Sequence, residues 1–116
     1  MNTQMINIET LAKTVHCHAV KAGDFIFTTG QMGKDPKTSQ VLDGIEAQAR
    51  QAFANLKTLV ESQSLTLEKV IKITIYVTNI QDLAKLNEVY FNEFFTGYRP
   101  ARTCVEVSKI GAGALL

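Results

Sequence analysis

The clearest pattern in the chain is an alternation of apolar and other side chains over residues 71–77. The apolar positions are Ile71, Ile73, Ile75 and Val77, and the positions between them are Lys72, Thr74 and Tyr76. Side chains of an extended backbone point alternately to its two faces, so this pattern predicts a strand with one apolar face. The three intervening residues are not plainly solvent residues, so the second face of the strand is expected to be covered too.

Two further strands are predicted earlier in the chain. Over residues 14–21, Val15, Cys17, Ala19 and Lys21 share one face, and His16, His18 and Val20 share the other. Residues 25–29 are apolar, aromatic and β-branched, which favours a strand. The short Ala-Gly-Asp segment between the two predicts a tight turn and therefore a hairpin.

Two amphipathic helices are predicted after the hairpin. Asp43 followed by Glu46 resembles a capping box, and an apolar stripe at helical spacing follows it. That stripe comprises Ile45, Ala49, Phe53, Leu56 and Val60. A second helix is predicted over residues 82–95, and its inward positions are Leu83, Leu86, Val89 or Tyr90, and Phe94. Gly97 and Pro100 end it, because neither residue continues a helix well.

The element order is therefore strand, strand, helix, strand, helix, strand. This order predicts a single α+β domain over residues 1–116, with a mixed sheet and both helices packed on one face. The other face of the sheet has no predicted cover within the chain. We therefore expect the protein to associate with itself through this face.

Composition narrows the functional classes. Twelve basic and eleven acidic residues give a formal net charge of +1 with no basic tract, so we expect no nucleic-acid partner. No apolar run reaches the roughly 20 residues that a membrane-spanning helix needs, so no membrane partner is expected. The first ten residues lack the pattern of a signal peptide, and the two cysteines, Cys17 and Cys104, form no disulfide framework. These features predict a cytoplasmic protein with reduced thiols.

The stretch R-P-A-R-T-C-V-E-V, residues 99–107, contains the strongest candidates for a functional site. Alternation places Arg102, Cys104 and Glu106 on one face of a strand, and the opposite face, with Thr103 and Val105, is expected to be core. A guanidinium on a half-buried strand suits a carboxylate or phosphate, because its fork can bind both oxygens. The alternative is a solvated strand face on which the arginine pairs with Glu106.

Other candidate residues have simpler interpretations. His16 and His18 lie two positions apart, but two histidines without further ligands are weak evidence for a metal, so no metal is expected. Cys104 is interpreted as a pocket wall rather than a nucleophile, since a lone thiol is more often a small buried apolar group.

The sequence resembles the RidA/YjgF family of small imine deaminases over nearly its whole length. The resemblance rests on T-T-G-Q at residues 28–31, D-P-K-T at 35–38, A-Q-A-R-Q at 47–51, and P-A-R-T-C-V-E-V at 100–107. Asn55, Tyr76-Val77 and Asn87 also match. It implies a RidA-like domain of chorismate-mutase-like fold in a trimeric, barrel-like assembly, with sites between subunits.

The resemblance also implies an activity that needs no cofactor. The family hydrolyses reactive 2-enamino and 2-imino acids, such as 2-iminobutanoate and 2-iminopropanoate, to 2-keto acids and ammonia. By resemblance Arg102 is the catalytic residue and holds the substrate carboxylate. By the same resemblance the pocket is lined by Thr29, Gly30 and Cys104, and Asn87 belongs to a neighbouring part of the same site. His16 stands where the family usually has a pocket tyrosine. A non-enzymatic protein that binds keto acids is the alternative, and a holdase or RNA-directed activity finds little support in the near-neutral charge.

One catalytic group of the family falls outside the 116 residues. Counted from Arg102 without a gap, Leu116 lies one residue before the glutamate that positions or activates water. Two alternatives follow: the sequence continues to this glutamate, which favours the enzyme, or the protein lacks it, which favours the keto-acid binder. For the 116-residue form we expect binding of keto acids but poor hydrolysis of imino acids.

Overall fold

The computed structural model describes residues 2–116 and contains two β-sheets packed on helices. The first sheet is an antiparallel meander of three strands in the order β1-β2-β3. These strands are Thr3–Ile6, Ala19–Ala22 and Phe25–Thr28. Gly23 adopts φ 59° in the turn between β2 and β3, a left-handed conformation that glycine takes without strain. The predicted hairpin is confirmed.

The second sheet is a parallel pair, β4 (Lys72–Val77) and β5 (Ala101–Glu106). The helix α2 (Leu83–Val89) connects these strands and continues into a π-helical turn at Tyr90–Phe94, which confirms the helix predicted over residues 82–95. The longer helix α1 (Ile45–Ser62) connects β3 to β4. The chain therefore has the predicted α+β fold with two helices.

Helix α1 contributes to both apolar cores. The larger core joins α1, α2, β4 and the end of the chain, and it comprises Ile45, Ala49, Ala52, Phe53, Ile73, Ile75, Val77, Leu86, Val89, Tyr90, Phe95 and Leu116. The smaller core lies under the first sheet and comprises Ile6, Leu11, Ala19 and Leu59. Because the helix packs on both sheets, the opposite faces of both sheets point away from it.

Those opposite faces are exposed and partly apolar. On the first sheet, Met5, Val20 and Phe27 are cross-strand partners in one row, and Met5 and Phe27 are 71% and 64% exposed. On the second sheet Tyr76 is paired with Val105, and both are exposed. We call this surface, formed by Met5, Phe25, Phe27, Tyr76 and Val105, the open face.

The polar side chain of Gln48 fixes α1 to two other segments. Its Nε2 donates to the carbonyl of Leu42 at 2.9 Å, and its Oε1 accepts from the backbone N–H of Leu115 at 2.7 Å. Gly33 lies directly against this helix, since a Cβ at Gly33 would overlap the Cα of Gln48 and lie 2.5 Å from its carbonyl oxygen. The loop after β3 therefore approaches the helix at a distance that only glycine permits.

Several expectations about the strands were wrong. The ladders form two separate sheets among residues 2–116 rather than one mixed sheet, and β1 was not foreseen. Residues 14–18 are irregular, so the strand expected from residue 14 begins at Ala19. Ile71 precedes β4 and is 62% exposed, so only Ile73, Ile75 and Val77 form the apolar face.

The expected core face of β5 was also wrong. Thr103 and Val105 lie on the open face, whereas Arg102 and Cys104 are partly buried on the side of α2. The inversion has a physical cause, since Asn87 and two aromatic rings of the α2 region accommodate the guanidinium.

Asp43 does not cap α1. The residue at the cap position is Gly44, which has φ 87° and forms no side-chain hydrogen bond to the helix. No helix in the described part of the chain combines the length and apolarity needed to cross a membrane.

Candidate functional site

Arg102 is the centre of the strongest candidate site. Its Nη1 donates to Oδ1 of Asn87 at 2.8 Å, and its guanidinium carbon lies 4.8 Å from the ring centre of Tyr90 and 5.6 Å from that of Phe91. Such cation–π contacts fix the plane of a guanidinium and contribute roughly 0.5–1 kcal/mol at exposed sites. The side chain is therefore held in place beside Asn87 and the two rings.

The π-helical turn explains how neighbouring residues reach the same guanidinium. Tyr90 and Phe91 are consecutive, and the wider turn at Tyr90–Phe94 brings both rings to Arg102. The Tyr90 ring stacks on Phe95 with centroids 4.5 Å apart, and it meets Phe91 edge-on at 4.9 Å. An aromatic platform therefore supports the arginine.

Tyr90 is buried, and its hydroxyl has no hydrogen-bond partner among residues 2–116. Burial raises the pKa of the Tyr90 hydroxyl, and the positive charge of Arg102 opposes that rise. The hydroxyl thus remains protonated at neutral pH and is an unused polar group beside the guanidinium.

Among residues 2–116, Arg102 has no carboxylate partner. The ion pair found among the described residues joins Arg50 to Glu93 at 2.7 Å, elsewhere on α1 and the π-helical turn. Glu106 instead accepts the backbone N–H of Ile80 at 3.0 Å. The alternative interpretation, in which Arg102 pairs with Glu106, is therefore wrong, and the guanidinium is available to an external anion.

Cys104 is the next residue on the same strand face and is partly buried. Burial raises the pKa of its thiol, and the nearby Arg102 lowers it by less. The thiol is therefore protonated at neutral pH, which suits a pocket wall better than a nucleophile, since the thiolate is the reactive form.

Thr29 and Gly30 lie at a second place, directly after β3. The Thr29 hydroxyl donates to the carbonyl of Cys17 at 2.6 Å, and the Thr29 N–H donates to the carbonyl of His18 at 2.9 Å. Thr29 and Gly30 line a cavity of about 290 Å³ together with Lys13, Lys34 and Asn55 among others. Arg102, Asn87 and Cys104 do not line this cavity, so one protomer holds the predicted site residues in two groups.

The two histidines have different environments. His16 is exposed and does not line the cavity of Thr29 and Gly30. His18 is buried, its Nδ1 accepts from the N–H of Ile8 at 2.8 Å, and its Nε2 lies 3.0 Å from the carbonyl of Ala12. Because Nδ1 accepts, Nε2 carries the proton and donates. No group of three potential metal ligands occurs in residues 2–116.

Comparison with known proteins identifies the family. The family model of Endoribonuclease L-PSP matches residues 7–116 of the chain. The chain belongs to the RidA/YjgF/L-PSP family. Among its relatives, a RutC family protein of Pyrococcus horikoshii is 42% identical over 102 residues, which are 87% of this chain and 80% of that protein. The 2-iminobutanoate/2-iminopropanoate deaminase of Salmonella typhimurium is 38% identical over 98 residues, covering 82% of this chain and 76% of the deaminase.

Solved RidA-family structures share the fold. RidA from an Antarctic Psychrobacter is 34% identical and superimposes with a TM-score of 0.90, covering 97% of this chain and 92% of that one. The crystal structure of Escherichia coli TdcF with bound serine is 28% identical with a TM-score of 0.89, over 97% and 91% of the two chains. The RidA family resemblance seen in the sequence is thus confirmed.

The resemblance drew attention to Arg102, Asn87 and Cys104, and the structure brings these three together. Tyr90 was missed as a site residue because its spacing fits the apolar stripe of a helix, and Phe91 was missed because it falls outside that stripe. His18 was missed because strand alternation could not show that its ring bonds two backbone segments.

Proposed function

We propose that this protein hydrolyses reactive 2-imino acids to 2-keto acids and ammonia. The observation that carries the proposal is the Arg102 guanidinium, fixed by Asn87 and two aromatic rings yet unpaired with any carboxylate of residues 2–116. A 2-imino acid presents a carboxylate to such a fork. Relatives at 38% identity that are named 2-iminobutanoate/2-iminopropanoate deaminase support the same substrate class.

The reaction consumes only water. Water adds to the C2 carbon of the imine, a carbon–oxygen bond forms, and the nitrogen takes up a proton. The hydroxyl proton of this intermediate then passes to the nitrogen, the carbon–nitrogen bond breaks as the carbonyl forms, and ammonia leaves the 2-keto acid. Arg102 would hold the carboxylate and so fix the position of C2, while the protonated thiol of Cys104 would form a wall of the pocket.

Binding of keto acids without catalysis is the second candidate. It is favoured by the engagement of Glu106 with the backbone N–H of Ile80, because this leaves no carboxylate of residues 2–116 paired with Arg102. A positioned general acid or base typically contributes about 10²–10⁴-fold to such a hydrolysis. Binding and turnover must therefore be measured separately.

The test compares the 116-residue chain with the same chain extended by a glutamate after Leu116. We expect both forms to bind 2-oxobutanoate with similar affinity in calorimetry. In a coupled assay with an amino-acid dehydratase, we expect the extended form to release ketone about 10²–10⁴-fold faster than the shorter one. Binding by both forms with no turnover by either favours the keto-acid binder, and absence of binding refutes both candidates.

We propose further that the protein is a homotrimer, with sites formed between subunits. The exposed apolar residues of the open face support association, and a subunit interface could join the Thr29–Gly30 group of one protomer to the Arg102 group of the next.

Sedimentation velocity tests the trimer at micromolar concentration. We expect a trimer for the wild type and dissociation for Tyr76→Glu, because a carboxylate on an apolar interface is costly to bury. The matched control is Thr58→Glu, since Thr58 is exposed on α1, which lies on the side of the sheets opposite to the open face. A stable wild-type monomer would rule out the assembly.

A further inference from the structure

A second unpaired guanidinium lies beside Arg102. The guanidinium carbon of Arg99 is 4.5 Å from the ring centre of Phe91, and that of Arg102 is 5.6 Å from the same centre. Two cations therefore converge on one aromatic ring at the start of β5.

This convergence is not what strand alternation alone would produce. Positions three apart on an extended strand point to opposite faces, so Arg99 and Arg102 should diverge. Arg99 lies ahead of the strand, which begins at Ala101, and the buried Pro100 separates the two. Strand alternation does not apply to this irregular segment, and both side chains reach Phe91.

The electrostatics of the pair also point to an anion. Neither guanidinium forms an ion pair in residues 2–116, and the side-chain acceptor found for Arg102 is the neutral amide of Asn87. Burial raises the pKa of the Tyr90 hydroxyl, but the charges of both Arg102 and Arg99 act to lower it. Both guanidinium groups therefore contribute positive potential at the Tyr90 hydroxyl. A dianion would relieve the repulsion between them.

We propose that Arg99 is a specificity-determining residue that favours substrates with a second carboxylate, namely the 2-imino acids derived from acidic amino acids. This inference rests on the proposed function of Arg102. Arg102 holds the carboxylate next to the imine carbon, and Arg99 attracts the distal carboxylate. Phe91 keeps the two guanidinium groups at a fixed spacing.

Calorimetry with two keto acids of equal carbon number provides the test. We expect the wild type to bind 2-oxoglutarate about five-fold more tightly than 2-oxopentanoate in dilute buffer, a modest factor because Arg99 is exposed. Arg99→Gln should remove this preference and leave the affinity for 2-oxopentanoate unchanged. Arg99→Lys, which retains the charge, should keep part of the preference, and added salt should diminish it.

Arg50→Gln is the matched control. It removes the same charge from a surface arginine that pairs with Glu93 and makes no contact with the Phe91 ring, so it should leave the preference intact. Equal affinity for both ligands in the wild type, or a preference that survives in Arg99→Gln, overturns the role of Arg99 while leaving the site at Arg102 in place. If neither ligand binds, the proposed function and this inference both fail.

Discussion

Replacement of Arg102 by alanine is expected to abolish binding of 2-oxobutanoate and with it any hydrolysis of imino acids. The charge-assisted pair between a partly desolvated guanidinium and a carboxylate is worth about 2–5 kcal/mol. Its loss should weaken binding by about 30-fold or more. Arg102→Lys should fail similarly, because an ammonium cannot reproduce the fork that matches a carboxylate.

The measurement must separate loss of the ligand contact from loss of fold. Circular dichroism and the unfolding midpoint of each variant report the fold, and calorimetry reports binding. Arg50→Ala is the control, since Arg50 is also an arginine that is partly exposed, but it pairs with Glu93. Wild-type affinity in folded Arg102→Ala would show that the carboxylate is held elsewhere.

Replacement of Gly33 by alanine is expected to destabilise the protein by about 3 kcal/mol. The added Cβ would overlap the Cα of Gln48, and a backbone atom in the first turn of α1 cannot move aside as a flexible side-chain end can. Overpacking of this kind typically costs about 1–3 kcal/mol, and contact with backbone places Gly33 at the upper end.

Urea unfolding at a fixed protein concentration measures the effect, because self-association makes the midpoint depend on concentration. Gly97→Ala is the matched control, since a Cβ at Gly97 meets no atom within 4 Å. We expect that variant to remain within about 0.5 kcal/mol of the wild type. A neutral Gly33→Ala would mean that the loop is not held against the helix.

The sequence predicted those elements whose pattern matches their burial. In β4 the apolar series Ile73, Ile75 and Val77 lies in the core, as the alternation indicated. In β5 the alternation correctly grouped Arg102 with Cys104, but it could not show which face is buried. That choice depends on Asn87, Tyr90 and Phe91, which belong to another element and become neighbours only in the fold.

Features that depend on tertiary pairing were not predictable. Strand β1, with the sequence T-Q-M-I, is too short to show alternation, and its residues are ordered by pairing with β2. The capping role given to Asp43 failed because Gly44 takes a positive φ that no propensity rule required. The contact of both Arg99 and Arg102 with the Phe91 ring was likewise not predictable, because Arg99 precedes the strand and alternation does not apply to it.

Because α1 contributes to both cores, local unfolding of one sheet and unfolding of the helix should affect the protein differently. The unit β4-α2-β5 is built largely from neighbours in sequence, and the meander β1-β2-β3 forms a second such unit, so each can behave as a foldon. Leu59 joins α1 to the meander, and Phe53 joins it to the other unit. Sub-global opening of the meander would therefore leave Arg102 and its aromatic platform intact, while fraying of α1 would disrupt both units together. The helix thus couples the stability of the Thr29 region to that of the Arg102 region within one subunit.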